Sequence, residues 1–500
     1  MNMGIGRAEK PGVKRAHEER KVEMKKSNVM ETIMLVGTVI VCTLIMVSLC
    51  FDNMAMDFDE AYSYATVNGN SLMGICRDII AAHDTDIPLW YLLLRVWTYI
   101  FGESWLAYKL FSVAGNVATM VLGVTVVRRN WGYLTAQFFV IAASLAPVML
   151  HIGVNVRMYS WTGFFVTASG LIIYELLKKP EKGYLWGLLL LTTICALLSH
   201  YFTAFCFLVL YLYLLLELFF SARKHLWKVF ACGIVSLIPF GIWVIISDLF
   251  HLYGMENETG AGGANFYEFF DYIFGTDAPY SWECGVLFFG AILAGIVLLR
   301  KRFAKAEWRF TLMSFGLFIT CYLLGALVST MSSHFYTPRH VMHGVPLMWL
   351  GISILLSRAK LPAYISGLVF LLTMCVPNYQ HSYALEYETA PYLEETRTFI
   401  AENMQPGDVV LYNAAEKFDL LYRCYMPEQE FFHLEEVTDI EMLIGRRVWF
   451  LYIENGAFFT PEQLQAYGIS CENLGHYGFQ IINDCTDFDL LRLEIGGGKG

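Results

Sequence analysis

The feature that most constrains this chain is a series of apolar runs long enough to cross a bilayer. About 20 apolar residues span a hydrocarbon core of ~30 Å. The stretch ETIMLVGTVIVCTLIMVSLCF meets that length near the N-terminus, and no small-residue cleavage pattern follows it. It reads as an uncleaved anchor. Further runs lie at 106–127, 133–150, 158–177, 184–199, 203–220, 229–247, 284–299, 310–330, 341–356 and 361–377. Inside lipid each backbone polar group must be paired within its own segment, so such runs fold as helices. Only 16% of the 500 residues are charged, against roughly 25% in soluble domains. The expected fold class is a polytopic α-helical membrane protein of about 11 transmembrane helices, with a small extracytoplasmic α/β C-terminal domain.

Lysine and arginine placement sets the topology. Residues 1–31 form a basic tail, and basic connectors stand at 128, 178, 222, 300 and 357. All of them share one side only if 88–101 (PLWYLLLRVWTYIF) does not cross. The positive-inside rule selects that arrangement, with segment 88–101 as an interfacial or re-entrant helix. The reading is then a cytoplasmic tail 1–31, a transmembrane region 32–377 with a first external loop 52–105, and an extracytoplasmic region 378–500. In the last region LEETRTFIAENMQPGDVVLY reads as helix, turn and strand, and RRVWFLYI and FDLLRLEI as strands. The chain has no basic face beyond the tail, so nucleic acid is excluded as a partner, while membrane lipids are implied. The twelve cysteines show no CxxC pair or metal-ligand spacing. Cys471 and Cys485 are the candidate pair for a disulfide.

Charged residues on the outer side mark the candidate site. Asp57, Asp59 and Glu60 follow the first span closely, and His83, Asp84 and Asp86 form a second polar cluster before segment 88–101. Arg157 and Arg339 each sit where a span begins, against the positive-inside bias, and an ionisable residue at such a depth is a functional candidate. His200 and Tyr201 lie between two spans. Paired carboxylates can supply a general base and a ligand for a substrate or metal, so a divalent cation is left open at His83, Asp84 and Asp86. Residues 248–283 combine a Gly/Ala-rich and an amphipathic part and suit a lid.

These pieces, in this order, resemble the GT-C superfamily of membrane glycosyltransferases, and most of all the bacterial branch related to the family 39 protein mannosyltransferases. The likeness rests on Asp59-Glu60 in DEAY, Asp84 with PLWYLLLRVW, Arg157 in VRMYS, His200 in SHY, and Arg339-His340 before Pro346, over roughly 30–380. The family's His-Pro is replaced by Asp86-Ile87. The Trp-rich acceptor motif of oligosaccharyltransferases is absent, so peptide acceptors are not supported. The resemblance implies inverting transfer of a sugar from a polyprenyl-phosphate donor to a glycan, lipid or protein hydroxyl, at the outer face of a cell membrane. Asp59 and Glu60 would be catalytic, Arg157, Arg339, His200 and Tyr201 would bind the donor phosphate, and His83, Asp84 and Asp86 would meet acceptor or metal. A transporter or lipid flippase is the rival reading, but the chain lacks repeat symmetry and paired broken helices. A receptor or scaffold working through the C-terminal domain would leave the first loop unexplained.

The charge pattern makes a direct prediction. In a background without accessible cysteines, Asn68→Cys should label with an impermeant thiol reagent from outside, and Glu181→Cys should not. Outside labelling of Glu181→Cys alone would invert the topology.

Overall fold

A computed structural model of the chain describes residues 11–51, 56, 58–81, 86–247, 281–331, 338–383, 390–413, 419–426, 428–434, 437, 440–453, 460–466, 469–481 and 484–495. The chain opens with α1 (Pro11–Ser48), followed by three short helices, α2 (Phe58–Val67), α3 (Leu72–Ala81) and α4 (Leu89–Phe101). The bundle continues through α5 (Trp105–Leu122), α6 (Arg128–Trp131), α7 (Tyr133–Leu145), α8 (Pro147–Val154), α9 (Tyr159–Lys178) and α10 (Gly183–Leu197). It closes with α11 (Thr203–Ser221), α12 (Leu226–Ile246), α13 (Ser281–Leu299), α14 (Lys305–Met331), α15 (Val345–Ser357) and α16 (Leu361–Tyr383).

Among the described residues, eight helices are long and apolar enough to span, or nine if α7 and α8 form one bent span. The two other runs expected to span form α10 and α13. α10 has 15 residues, about 22 Å at 1.5 Å per residue, and carries the chain from the end that holds Glu175 back to the end where His200 meets Tyr159. The run at 284–299 forms α13, whose side chains are described only in part. The lid expected at 248–283 lies almost wholly outside the described residues. The outer surface is apolar: Ile234, Ile238, Ile242 and Ile245 are all exposed along α12. Such a stripe is stable only against lipid or a partner.

Ion pairs tie the helix ends together. Arg128 reaches Glu31 at 3.3 Å, Arg309 reaches Glu217 at 2.5 Å, Arg358 reaches Glu307 at 2.6 Å, and Arg129 reaches Glu175 at 3.3 Å. The start of α1's apolar run and the C-terminal end of α5 therefore share one end of the bundle. The chain between them returns to the end it left, so α4 does not cross. Its mid-run Arg95 pairs with Glu103 and lies over the Tyr99 ring.

The bend between α7 and α8 is 59°. Pro147 offers no N–H and holds Ala146 in extended backbone, with φ −55° and ψ 148°. Asn378 Nδ2 donates to the Pro147 carbonyl and Asn116 Nδ2 to the Met149 carbonyl, both at 2.9 Å. The bend delivers the turn that carries Arg157 to α2.

Beyond the bundle, α17 (Ala390–Asn403), α18 (Asp419–Tyr425) and α19 (Pro461–Ala466) accompany a five-stranded sheet. Its strands are β1 (Val409–Tyr412), β2 (Glu430–His433), β3 (Val448–Tyr452), β4 (Ile469–Ile481) and β5 (Asp484–Ile495), in the order β2-β1-β3-β5-β4. β1 pairs parallel with β2 and β3, while β5 runs antiparallel to β3 and β4. β1 is buried at every position, as a central parallel strand covered on both faces must be. The QPGD turn before it closes at Gly407, with φ +81°, and the Asp408 carboxylate accepts from Trp449 Nε1 at 2.7 Å. The register pairs Cys471 with Leu493 and Cys485 with Gln480, towards opposite ends of the hairpin. At about 3.3 Å per strand residue, the two cysteines lie far beyond the ~7 Å Cα limit of a disulfide. That pairing is excluded within one chain.

The sheet region is packed onto the bundle through α2. Met56 N donates to Tyr425 Oη at 3.2 Å, and Cys424 Sγ donates to the Ala61 carbonyl at 3.5 Å. Met56, Ala61, Tyr422 and Tyr425 belong to one continuous apolar core with the bundle's interior.

α5 and α9 approach closely at a glycine. A Cβ on Gly115 would lie 2.7 Å from Ser160 Oγ and 3.0 Å from the Ser160 carbonyl carbon and the Trp161 nitrogen. Backbone cannot yield as a side chain can. Gly115→Ala should therefore cost about 1–3 kcal/mol, read as a lower thermal midpoint in detergent. Gly187→Ala, with no atom within 4 Å of its added Cβ, should keep or raise the midpoint, because alanine is the better helix former.

Candidate active site

The two acids of α2 occupy its first turn, where the helix dipole favours negative charge. The helix ends at Asn68-Gly69, with Gly69 at φ +66°, a conformation that glycine adopts without strain. Adjacent helical residues point about 100° apart, so Asp59 and Glu60 face different surroundings. Glu60 is 1% exposed and its Oε1 accepts the Val156 N–H at 2.7 Å. That bond anchors the turn carrying Arg157. Asp59 faces the two arginines.

Arg339 Nη1 donates to Asp59 Oδ2 at 2.6 Å, across 280 residues of sequence. Arg157 Nε lies 3.9 Å from the same oxygen. Arg157 Nη1 contacts the Asp59 carbonyl at 3.3 Å, Ser63 Oγ at 3.4 Å, Tyr91 Oη at 3.2 Å and Asp86 Oδ2 at 3.6 Å. Tyr91 Oη in turn donates to Asp86 Oδ2. The buried Arg157 thus lies between two carboxylates, and Tyr91 joins the second to it. Both expected arginines and both Asp59 and Asp86 come together here. Asp57, His83 and Asp84 lie outside the described residues.

His200 forms another wall of the site. Its ring centre lies 4.4 Å from His343, 5.8 Å from His340 and 4.7 Å from Tyr201. His340 and His343 share a 3₁₀ turn, Pro338–Gly344, in which positions i and i+3 eclipse. His340 stacks on Phe202 at 4.1 Å, and His343 Nδ1 is 2.7 Å from Thr162 Oγ1. Among the described residues, no group of three or more His, Cys, Asp or Glu is arranged to hold a metal ion.

Burial pushes the Asp59 carboxyl up, but Arg157 and Arg339 outweigh it, and the group sits below its ordinary value. Burial works against the charge on Arg157, yet Tyr91, Asp59 and Asp86 hold its guanidinium well above the usual value. Burial, together with His343 and His340, pushes His200 well below the usual imidazole value, so it is neutral at pH 7. At neutral pH Asp59 and Arg157 are therefore charged and His200 is neutral. The helix α9 carries Arg157 just before its first turn and Glu175 near its last. At 1.5 Å per residue this places the site about 27 Å from the Arg–Glu pairs, close to the thickness of a hydrocarbon core.

Tyr91, Ser63 and His343 were not singled out from sequence. Tyr91 follows Asp86 by five residues in PLWY, and His343 follows His340 by three. Neither spacing is distinctive until the fold brings those segments beside Arg157 and His200.

No protein-family profile matches the chain, and no curated protein matches it by sequence. Solved structures do match by fold. ArnT from Cupriavidus metallidurans, in a crystal structure bound to undecaprenyl phosphate, superposes with a TM-score of 0.60 at 12% identity, over 93% of this chain and 98% of that one. Its apo form gives 0.59 at 13% identity over the same shares. The arabinofuranosyltransferase AftD from Mycobacteria gives 0.50 at 13% identity, covering 92% of this chain and 41% of that one. The match to ArnT spans 93% of this chain, so the two proteins share a fold.

Proposed function

We propose that this protein is an inverting glycosyltransferase that moves a sugar from a polyprenyl-phosphate donor to an acceptor hydroxyl at the outer face of the membrane. The observation that carries the reading is the convergence of Asp59, Arg157 and Arg339 at one end of a bundle whose fold neighbour ArnT binds undecaprenyl phosphate. A lipid-linked sugar keeps its isoprenoid chain in the bilayer and its head group at such an end.

Asp59 is the general base. It takes the proton of the acceptor hydroxyl as that oxygen bonds to the anomeric carbon. The bond from that carbon to the phosphate oxygen breaks, and its electron pair leaves with the phosphate. Arginine suits this leaving group because its planar fork gives paired, charge-assisted hydrogen bonds. Arg339, the more exposed of the two arginines, is the phosphate contact. Arg157 neutralises Asp59 and Asp86 and fixes their geometry. Glu60 positions Arg157 through Val156, and His200 and Tyr201 line the donor side.

The reading is tested by release of polyprenyl phosphate from a lipid-linked sugar by purified protein. A transporter would move the lipid without releasing it. Asp59→Asn keeps the shape and removes the basicity, and turnover should fall roughly 10²–10⁴-fold. Near-normal turnover in Asp59→Asn, with loss in Asp86→Asn, would move the base to Asp86.

The pH dependence follows from the charges. Arg157 and Arg339 hold Asp59 below the ordinary carboxylate value, so kcat/KM should stay level from neutrality down into the acid range and fall only as Asp59 protonates. Arg339→Gln removes one of the two opposing cations and leaves the burial that pushes the group up. The acid limb of the normalised profile should then move to higher pH. A limb that stays in place would mean that another group controls it.

A further inference from the structure

The two arginines reach the same carboxylate from different surroundings. Arg157 is 9% exposed, and its partners come from α2, α4 and the turn before α4. Moving it would leave Asp86 and Tyr91 facing each other without a cation, a costly state for a buried charge. Arg339 is different. Its side chain is 46% exposed, and it stands in the short 3₁₀ turn, joined to Asp59 Oδ2 at 2.6 Å. Ion pairs with a partner this exposed are weak and easily exchanged.

We propose that Arg339 is an exchange residue, whose guanidinium passes from Asp59 to the donor phosphate on binding, so that the donor itself releases the base. This rests on the glycosyl-transfer reading above. The donor's phosphodiester offers the fork two free oxygens and one negative charge, as a carboxylate does, and gains a third oxygen and further charge as the sugar leaves, so the exchange strengthens towards the released polyprenyl phosphate. Once Arg339 has moved, the cation left beside Asp59 among the described residues is Arg157, with Asp86, Tyr91 and Tyr159 among the ionisable groups around them. Asp59 then becomes a better base only when a leaving group is in place. The acceptor proton passes to Asp59, the acceptor oxygen bonds to the anomeric carbon, and the phosphate departs with the bonding electrons onto the arginine that has just left Asp59. Donor binding precedes acceptor activation, and the carboxylate stays masked without a donor.

The test needs no acceptor. Binding of undecaprenyl phosphate to the detergent-solubilised full chain is measured for the wild type and a double-mutant cycle. Asp59→Asn removes the competitor for Arg339, so binding should tighten roughly 2- to 5-fold, the worth of such an ion pair. Asp59→Glu keeps a carboxylate and should not tighten. In the Arg339→Gln background Asp59→Asn should have no effect. Equal tightening in that background would be a general charge effect and would overturn the exchange, as would unchanged or weaker binding in Asp59→Asn. If the wild type does not bind undecaprenyl phosphate at all, the transfer reading fails along with the exchange. Should Asp59→Asn not fold, infrared difference spectra of the wild type serve instead. Adding undecaprenyl phosphate should shift a carboxylate band that stays still in Arg339→Gln, and no shift in the wild type overturns the proposal.

Discussion

The arrangement at this end of the molecule depends on one buried cation. Arg157 has been taken out of water, and a charge in that position is tolerable only when paired and hydrogen-bonded. Its partners are supplied by α2, by α4 and by the turn before α4. Each of those elements is short and could not hold its position alone. The guanidinium fixes them against the start of α9, and Glu60 fixes the turn by accepting the Val156 N–H. Without that cation two carboxylates would face each other near lipid.

α2 is also where the sheet region meets the bundle. Tyr425 accepts the Met56 N–H just before the helix, and Cys424 reaches the Ala61 carbonyl within it. One face of this ten-residue helix is thus committed to the C-terminal region, another to the Arg157 turn, and Asp59 is left facing the arginines. The sheet region is in this sense part of the site's framework. A short helix has little stability of its own, and here its stability comes from the contacts on both sides.

Much of this was legible in the chain. The apolar runs identified the class, because lipid admits only helices or closed barrels. Basic connectors placed segment 88–101 on the surface, and the ion pairs joining Arg128 to Glu31 agree with it. Asp59, Asp86, Arg157, Arg339 and His200 stood out because charged or polar residues at the edge of lipid need a reason. Less was legible where length is marginal. α10, at 15 residues, is shorter than the run at 184–199 suggests, and the helix formed by 133–154 is broken at Pro147.

What the sequence determined by itself was therefore the class, the order of the elements and most of the charged residues that converge at this end, since these follow from local polarity and from the energetics of lipid. Only the tertiary structure decided their partners. Asp59 and Glu60 are adjacent in the chain, yet one faces two arginines and the other a backbone N–H, a difference set by which helix faces pack where. Arg339 meets Asp59 from 280 residues away, Tyr91 joins the site through a turn, and Cys471 and Cys485 part because strand register separates them. Pairings of this kind are long-range, and no local pattern in the chain encodes them.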